Sequence, residues 1–232
     1  MCFSPEASFA GAIIISGIGV ITIKKIHKPS QILFGSIPLF FGFQQFAEGV
    51  VWLTLPLTNY LIIQKISVYI FLITAQVIWP VLIPLSVLLM EKSIRKKKIL
   101  KVLLLVGMAL SIYYAICLCF FTVSPRIEGF HIKYYNGFPD SLAMIATVIY
   151  LIATIPSLFV SSVKRTHLLG ILMTFSCIVT VIFFRQYLTS VWCFFAAAIS
   201  GVIYWILNDL QRDFLLTRFR LIRIRTGITD IK

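Results

Sequence analysis

A carboxylate with amide and indole neighbours lies inside an otherwise apolar segment of the chain. Gln44, Glu48 and Trp52 are spaced four residues apart, and Gln45 precedes Glu48 by three. In a helix this spacing puts the four side chains on one face. Lipid cannot satisfy an amide or a carboxyl group, so the face is predicted to point into a bundle. Glu48 is then a candidate ligand or acid/base group.

A second polar position follows in the next apolar segment. Trp79 directly precedes Pro80. Gln76, Pro80 and Pro84 are spaced four residues apart and therefore share a helical face. Each proline removes a backbone N–H, so the carbonyls it releases need partners from protein or trapped water. An amide beside released carbonyls can line a ligand site or can serve the kink alone, and the sequence leaves both interpretations open.

The N-terminus carries the most reactive candidate nucleophile. Cys2 lies just before a predicted helix start, whose dipole favours the thiolate. Removal of Met1 would leave a free α-amine beside the thiol, a pair that can act as nucleophile and base or chelate a soft metal. Glu48 is the candidate acid/base partner for Cys2. The alternative is a free thiol packed at the membrane interface, and the sequence identifies neither a metal nor a cofactor.

Arg185 is the cation predicted to lie at the depth of Glu48. Counted from the middle of their segments, the two residues are roughly 9 and 10 Å outward at 1.5 Å per residue. We therefore predict a Glu48–Arg185 ion pair. The pair can contribute to a site or only join two helices, and Arg185 can instead extend to the outer interface.

These residues belong to segments whose composition is that of a membrane protein. The 232 residues are 59% hydrophobic and 12% charged, whereas soluble domains have about 25% charged residues. Mean hydropathy is +0.98. We predict an all-α membrane protein, a bundle of seven transmembrane helices, from seven apolar runs. The runs are 7–23, 31–54, 60–90, 100–122, 141–162, 168–187 and 189–208.

Basic residues predict the orientation of the bundle. All but Lys65, Arg126, Lys133 and Arg185 of the 21 lysines and arginines lie in alternate gaps and in the tail. By the positive-inside rule the N-terminus is outside and the C-terminus is cytoplasmic. This placement explains the net charge of +13 without nucleic acid. The expected partners are the lipid bilayer and, at the basic loops and tail, anionic lipids of the inner leaflet.

Two parts of the chain lie outside the predicted hydrocarbon region. We divide the sequence into a bundle of residues 1–208 and a basic cytoplasmic tail of residues 209–232 that lies on the membrane surface. The longest outer connection, 123–139, contains four aromatic residues. It can fold over the mouth of the bundle as a lid or form an aromatic belt at the headgroups.

Three stretches of the first 100 residues resemble a known family. They are Met-Cys-Phe-Ser-Pro-Glu-Ala-Ser-Phe at 1–9, the Gln-Gln-x-x-Glu-Gly-x-x-Trp pattern at 44–52, and Gln-Val-Ile-Trp-Pro at 76–80. The chain resembles an uncharacterised family of bacterial multi-pass membrane proteins that begin Met-Cys-Phe-Ser. The resemblance implies a bacterial inner-membrane location and no settled activity.

Together these observations predict a polar pocket in the outer half of the bundle that binds a small molecule or an ion for sensing or transport. Its predicted lining is Gln45, Glu48, Trp52, Gln76, Trp79 and Arg185. One alternative is a membrane-embedded enzyme that uses Cys2 and Glu48. Another is a structural subunit of a membrane complex, which would need no pocket.

Overall fold

The computed structural model describes residues 4–183 and 195–225. Seven helices occupy these ranges, each on one of the predicted apolar runs. The end of the sixth run and the start of the seventh fall on residues outside the described ranges. The helices are α1 (Pro5–Ile23), α2 (Ile32–Thr54), α3 (Leu61–Met90), α4 (Ile94–Phe120), α5 (Asp140–Val160), α6 (Thr166–Phe183) and α7 (Ala196–Arg225). Short 3-10 turns at Pro29–Gln31 and Thr58–Tyr60 lead into α2 and α3.

Four of the described helices are long and apolar enough to cross a membrane. They are Pro5–Ile23, Leu61–Met90, Ile94–Phe120 and Ser141–Val160. Helix α6 is apolar but short over its described part, Thr166–Ile182. Helix α2 has 23 residues, and Gln44, Gln45 and Glu48 reduce its apolar character. The fold is thus mostly helical and compatible with a membrane protein.

The first helix starts as its sequence predicts. Ser4 has extended backbone angles and its Oγ accepts a hydrogen bond from the Ala7 N–H at 3.2 Å. Pro5 occupies the first helical position, where its missing N–H has no cost, and Glu6 lies in the first turn. Ser4 is thus the N-cap of α1.

Glycines let α1 and α2 pack closely together. Gly35, Gly42 and Gly49 recur every seven residues along α2. A Cβ on Gly42 would meet the Ala12 carbonyl oxygen at 3.2 Å, and one on Gly49 would meet the Phe9 ring at 3.0 Å. At Gly42 the α1 backbone itself lies close by, and at Gly49 a Cβ would press on the Phe9 ring, so these two glycines let α1 and α2 approach closely.

Helix α3 changes its winding at its centre. It is α-helical over Leu61–Leu72 and Trp79–Met90, with a π-helical segment at Ile73–Ile78 between them. Ala75 lies five residues before Pro80, which has no N–H to offer its carbonyl. The Tyr150 hydroxyl donates to that carbonyl at 3.0 Å instead, and the Ser111 Oγ donates to the Val77 carbonyl at 2.6 Å. Tyr150 thus supplies the donor that Pro80 cannot, as predicted for a carbonyl released by proline, and Ser111 adds a second contact to this segment.

A β-hairpin follows α4, which the all-α prediction did not include. Strands β1 (Val123–Glu128) and β2 (His131–Asn136) pair antiparallel, with Val123 opposite Asn136. Gly129 makes the turn with a φ of +61°, a conformation that glycine adopts without strain. Ile132 is fully buried, and Tyr134 stacks on Phe71 of α3 with the ring centroids 5.0 Å apart. Burial of this inner face therefore holds the hairpin on the bundle.

At the opposite end, one carboxylate joins two turns of the chain. Glu91, just after α3, accepts hydrogen bonds from the N–H groups of Lys92 and Ser93 at 2.8 Å each and of Ser162 at 2.6 Å. Burial would raise the pKa of Glu91, but these N–H groups favour its charged form and leave the pKa below its usual value. The turn after α3 is thereby tied to the turn after α5.

The turn after α5 is also joined to α7. Arg165 has a φ of +71°, in the left-handed region. Its Nη1 lies 2.9 Å from Oδ1 of Asp209, and its guanidinium lies 4.0 Å from the ring centroid of Trp205. Helix α7 continues unbroken past residue 209, where we divided bundle from tail.

Candidate functional site

A cavity of about 960 Å³ lies among helices α2 to α7 and extends to the hairpin. Two of the predicted site residues, Gln76 and Trp79, line it. The polar and aromatic side chains around them come from α2, α4, α5, α6 and β2, and include Gln44, Tyr113, Tyr114, Tyr134, Tyr135, Asn136, Thr147, Tyr150, Thr154 and Cys177. Its size lies within the range of about 300–1,000 Å³ that is usual for ligand sites.

Gln76 reaches the cavity from the π-helical segment of α3. Its Oε1 is buried and has no hydrogen-bond partner among the described residues. A π-helical segment inside an α-helix often marks a functional site, because the wider turn redirects a side chain. An unsatisfied buried amide beside a cavity is a group that a bound molecule can complete.

The other predicted cavity residue, Trp79, is held in place by α2. Its indole Nε1 donates to Gln44 Oε1 at 2.7 Å, and its ring lies 4.2 Å from that of Phe41, measured between centroids. Gln44 shares the helical face of Glu48 but was not included in the predicted pocket. In the structure it lines the cavity and fixes the orientation of Trp79.

The remaining residues of the α2 motif are placed elsewhere. Gln45 and Glu48 are fully buried, and Gln45 Nε2 donates to Glu48 Oε2 at 3.0 Å. Trp52 packs in a separate apolar cluster with Val68 and Phe71, beneath the hairpin. None of the three lines the cavity. The structure therefore brings Gln76 and Trp79 together at the cavity and separates them from Gln45, Glu48 and Trp52.

Cys2 and Arg185 lie outside the described residues, so the Glu48–Arg185 ion pair and the Cys2–Glu48 partnership stay predictions. The first described residues do approach this part of α2, because Phe9 packs on Gly49, next to Glu48. Among residues 4–183 and 195–225, no group of three His, Cys, Asp or Glu side chains is placed to hold a metal ion.

The hairpin and the segment after it line one end of the cavity. Tyr134, Tyr135, Asn136 and Phe138 all line it, and Phe138 also packs against Tyr114 of α4 with ring centroids 6.3 Å apart. Phe130, at the hairpin tip, is exposed instead. The aromatic residues that line the cavity fit the lid interpretation of residues 123–139, and the exposed Phe130 fits the aromatic belt.

Residues 1–213 match a family of unknown function, DUF6629. The chain belongs to this family. No curated protein and no solved structure matches the chain. The resemblance to an uncharacterised family, first seen in the motifs of the N-terminal half, is therefore confirmed and extends through most of α7.

The cavity of this DUF6629 protein is uncharged wherever the structure describes its lining. No Asp, Glu, Lys, Arg or His side chain borders it in those ranges. Its inner end is aliphatic, formed by Ile37, Ile83, Leu169, Met173, Ile199 and Ile203. This lining can make hydrogen bonds and aromatic contacts with a molecule, but it presents no carboxylate or imidazole for general acid/base catalysis.

Several polar residues of the cavity were not found from the sequence, among them Tyr113, Tyr114 and Asn136. The two tyrosines lie in an apolar helix with no charged neighbour in sequence, so nothing distinguished them from ordinary packing residues. Asn136 ends strand β2, which was not predicted, so its place at the cavity could not be inferred.

Proposed function

We propose that this DUF6629 chain is a multi-pass protein of a bacterial inner membrane whose central cavity binds a neutral small molecule. The observation that carries the proposal is the cavity of about 960 Å³, with an unsatisfied Gln76 amide at its wall. A pocket that is mostly apolar with a few placed polar groups is the usual form of a small-molecule site. An ion is disfavoured, since the described lining offers no opposite charge to offset its loss of hydration.

We further propose that the seven helices all cross the membrane, with the N-terminus and the hairpin outside. The support is the distribution of lysine and arginine, which gathers at the end of the bundle that holds Glu91 and Arg165. The basic loops and tail at that end would contact anionic lipids of the inner leaflet. Alkaline phosphatase fused after residue 232 should be inactive and the same enzyme inserted at Gly129 active. The reverse pattern would contradict this orientation.

Of sensing and transport, the lining favours binding from one side, as in a sensor. The polar groups lie at the hairpin end and at Gln76, whereas the other end is aliphatic. A transport path for a polar molecule would need polar groups to continue toward the cytoplasm. The hairpin over the outer end, with Tyr134 and Asn136 on its inner face, is suited to respond when the cavity is filled.

Native mass spectrometry of the purified protein tests the cavity directly. Prodan, a neutral amphipathic fluorophore, is the added probe, and molecules that copurify are measured in the same spectra. Ala146 is buried at the cavity wall, so Ala146→Phe should fill the space that a ligand would take. Ala10 is exposed on α1 and does not line the cavity, so Ala10→Phe is the matched control.

We expect a one-to-one adduct with wild type and with Ala10→Phe, and roughly tenfold weaker prodan binding with Ala146→Phe. Circular dichroism before the measurement establishes that both variants are folded. Equal adducts in the two variants would show that prodan and copurified molecules bind elsewhere, and the proposal would then be wrong.

A further inference from the structure

The cavity also opens sideways, toward the hydrocarbon of the membrane. Met144, Val148 and Ile182 line it, and they are 69%, 50% and 67% exposed. Met144 and Val148 are one helical turn apart on α5, and Ile182 is near the end of the described part of α6. In the proposed topology these apolar side chains face lipid. The gap between α5 and α6 is therefore an apolar mouth from the bilayer into the cavity.

The polar groups inside the cavity call for hydrogen-bond donors on the ligand. Gln44 accepts from Trp79, and the Tyr150 hydroxyl donates to the Ala75 carbonyl, so both already take part in the fold. The carboxamide oxygens of Gln76 and Asn136 are buried and have no hydrogen-bond partner in the described ranges. Hydroxyl groups are suited to these two acceptors, because each hydroxyl donates one hydrogen bond.

The far end of the cavity calls for an aliphatic chain. Beyond Gln76 and Trp79 the lining consists of isoleucine, leucine and methionine side chains from α2, α3, α6 and α7. These surfaces gain by covering hydrocarbon. A ligand that fits both ends is thus an amphipath with a hydroxyl-bearing head near the hairpin and a chain directed inward.

We infer that the cavity takes a neutral acyl lipid with a hydroxyl-bearing head group, of the monoacylglycerol class, which enters from the bilayer between α5 and α6. This inference rests on the proposed function of the cavity and names the class of its ligand and its route. A fatty acid carries the same chain but a carboxylate, for which the described lining has no cationic partner. The cavity should therefore bind a monoacylglycerol more tightly than a fatty acid with the same chain, because only the fatty acid is charged.

Tryptophan fluorescence provides the test, because Trp79 borders the cavity. A variant that retains Trp79, with Trp52, Trp192 and Trp205 changed to Phe, is placed in phosphatidylcholine nanodiscs. The probe is 9,10-dibromostearoylglycerol, whose bromines quench tryptophan only at short range. 9,10-Dibromostearate, at a pH where it is ionised, has the same brominated chain with a charged head. A second variant that keeps only Trp205, which is exposed outside the cavity, reports general contact with brominated lipid.

We expect the brominated glyceride to quench Trp79 at a concentration roughly tenfold lower than the brominated fatty acid. Trp205 should respond to the two probes alike. Val148→Phe narrows the mouth and should slow the quenching of Trp79. Val102→Phe, a lipid-exposed position on α4 that does not line the cavity, is its matched control.

The outcomes separate this inference from the proposed function. If prodan binds in a manner that Ala146→Phe abolishes, but the two brominated probes quench Trp79 equally, the cavity binds small molecules and the lipid class is wrong. If Val148→Phe and Val102→Phe leave the quenching rate unchanged, the route between α5 and α6 is wrong. If prodan binds equally to the Ala146→Phe and Ala10→Phe variants, the proposed function itself fails.

Discussion

Replacement of Gly107 by alanine tests how closely α3 and α4 are packed. A Cβ on Gly107 would overlap the carbonyl oxygen of Pro80 and lie 2.9 Å from its carbonyl carbon. That oxygen has no helical N–H partner four residues on, because residue 84 is also a proline. The obstacle is backbone, which cannot rotate aside as a side chain can. The alanine must therefore push the two helices apart.

The size of the effect follows from three contributions. Overpacking costs about 1–3 kcal/mol, and an obstacle made of backbone places this site at the upper end. Separation of the helices also lengthens the Ser111–Val77 hydrogen bond of 2.6 Å, whose loss costs about 1 kcal/mol. Alanine regains about 0.5–1 kcal/mol of helix propensity. We expect Gly107→Ala to destabilise the protein by about 2–3 kcal/mol.

The assay is unfolding by sodium dodecyl sulfate in mixed micelles, followed by circular dichroism. Gly201→Ala is the matched control, because nothing lies within 4 Å of a Cβ at that position. The control should be neutral or slightly more stable than wild type. In the double variant Gly107→Ala/Pro84→Ala, residue 84 regains a backbone N–H. That N–H can donate to the Pro80 carbonyl as its helical partner and so move the oxygen away from residue 107. That variant should recover part of the loss. Similar stabilities for Gly107→Ala and Gly201→Ala would refute the close approach.

Four further substitutions have defined outcomes. Ser111→Ala and Tyr150→Phe each leave a carbonyl of α3 without its donor, and each should lower the free energy of unfolding by about 1–2 kcal/mol in the same titration. The depressed pKa of Glu91 contributes stability that is present above its usual value of 4.5 and is lost as pH falls through its folded value. The free energy of unfolding of the wild type should therefore fall below about pH 4.5. Glu91→Gln should remove that part of the pH dependence. If the variant shows the same dependence of unfolding free energy on pH as the wild type, the role of this carboxylate is contradicted. Tyr134→Ala removes the stacking on Phe71, so limited proteolysis within residues 123–136 should become faster, and an unchanged cleavage rate would show that the hairpin is held by other contacts.

The sequence was sufficient to predict where helices form, because hydropathy and caps are local. The apolar runs coincide with seven helices in the described ranges, and Ser4 caps the first of them. The prolines of α3 correctly predicted that released carbonyls would need outside partners. The identity of the partner, Tyr150 for the Ala75 carbonyl, depends on how α3 and α5 pack and could not be read from one segment.

The hairpin was missed for a different reason. Its strands are six residues each, and only the fully buried Ile132 and the stack of Tyr134 on Phe71 define an inner face. A short strand of this kind forms because the bundle offers a surface, so its own pattern is weak. The glycine at position 129 was the available signal.

The site was predicted in part, and the limit was the rotation of α2. Gln44 and Gln45 are neighbours, roughly 100° apart around a helix of 3.6 residues per turn. Polarity requires that both avoid lipid but does not say which of them meets the cavity. Contacts with α1 and α3 decide this, placing Gln44 against Trp79 and Gln45 against Glu48.

The close glycine contacts between α1 and α2 have a mechanical consequence. Gly42 of α2 faces the Ala12 carbonyl, and Gly19 of α1 faces the backbone nitrogen of Leu39, so the two backbones are near neighbours and resist sliding past each other. Helices α1 and α2 should then move as one rigid unit. If the cavity changes volume, the moving helices should be those on its opposite wall, α5 and α6.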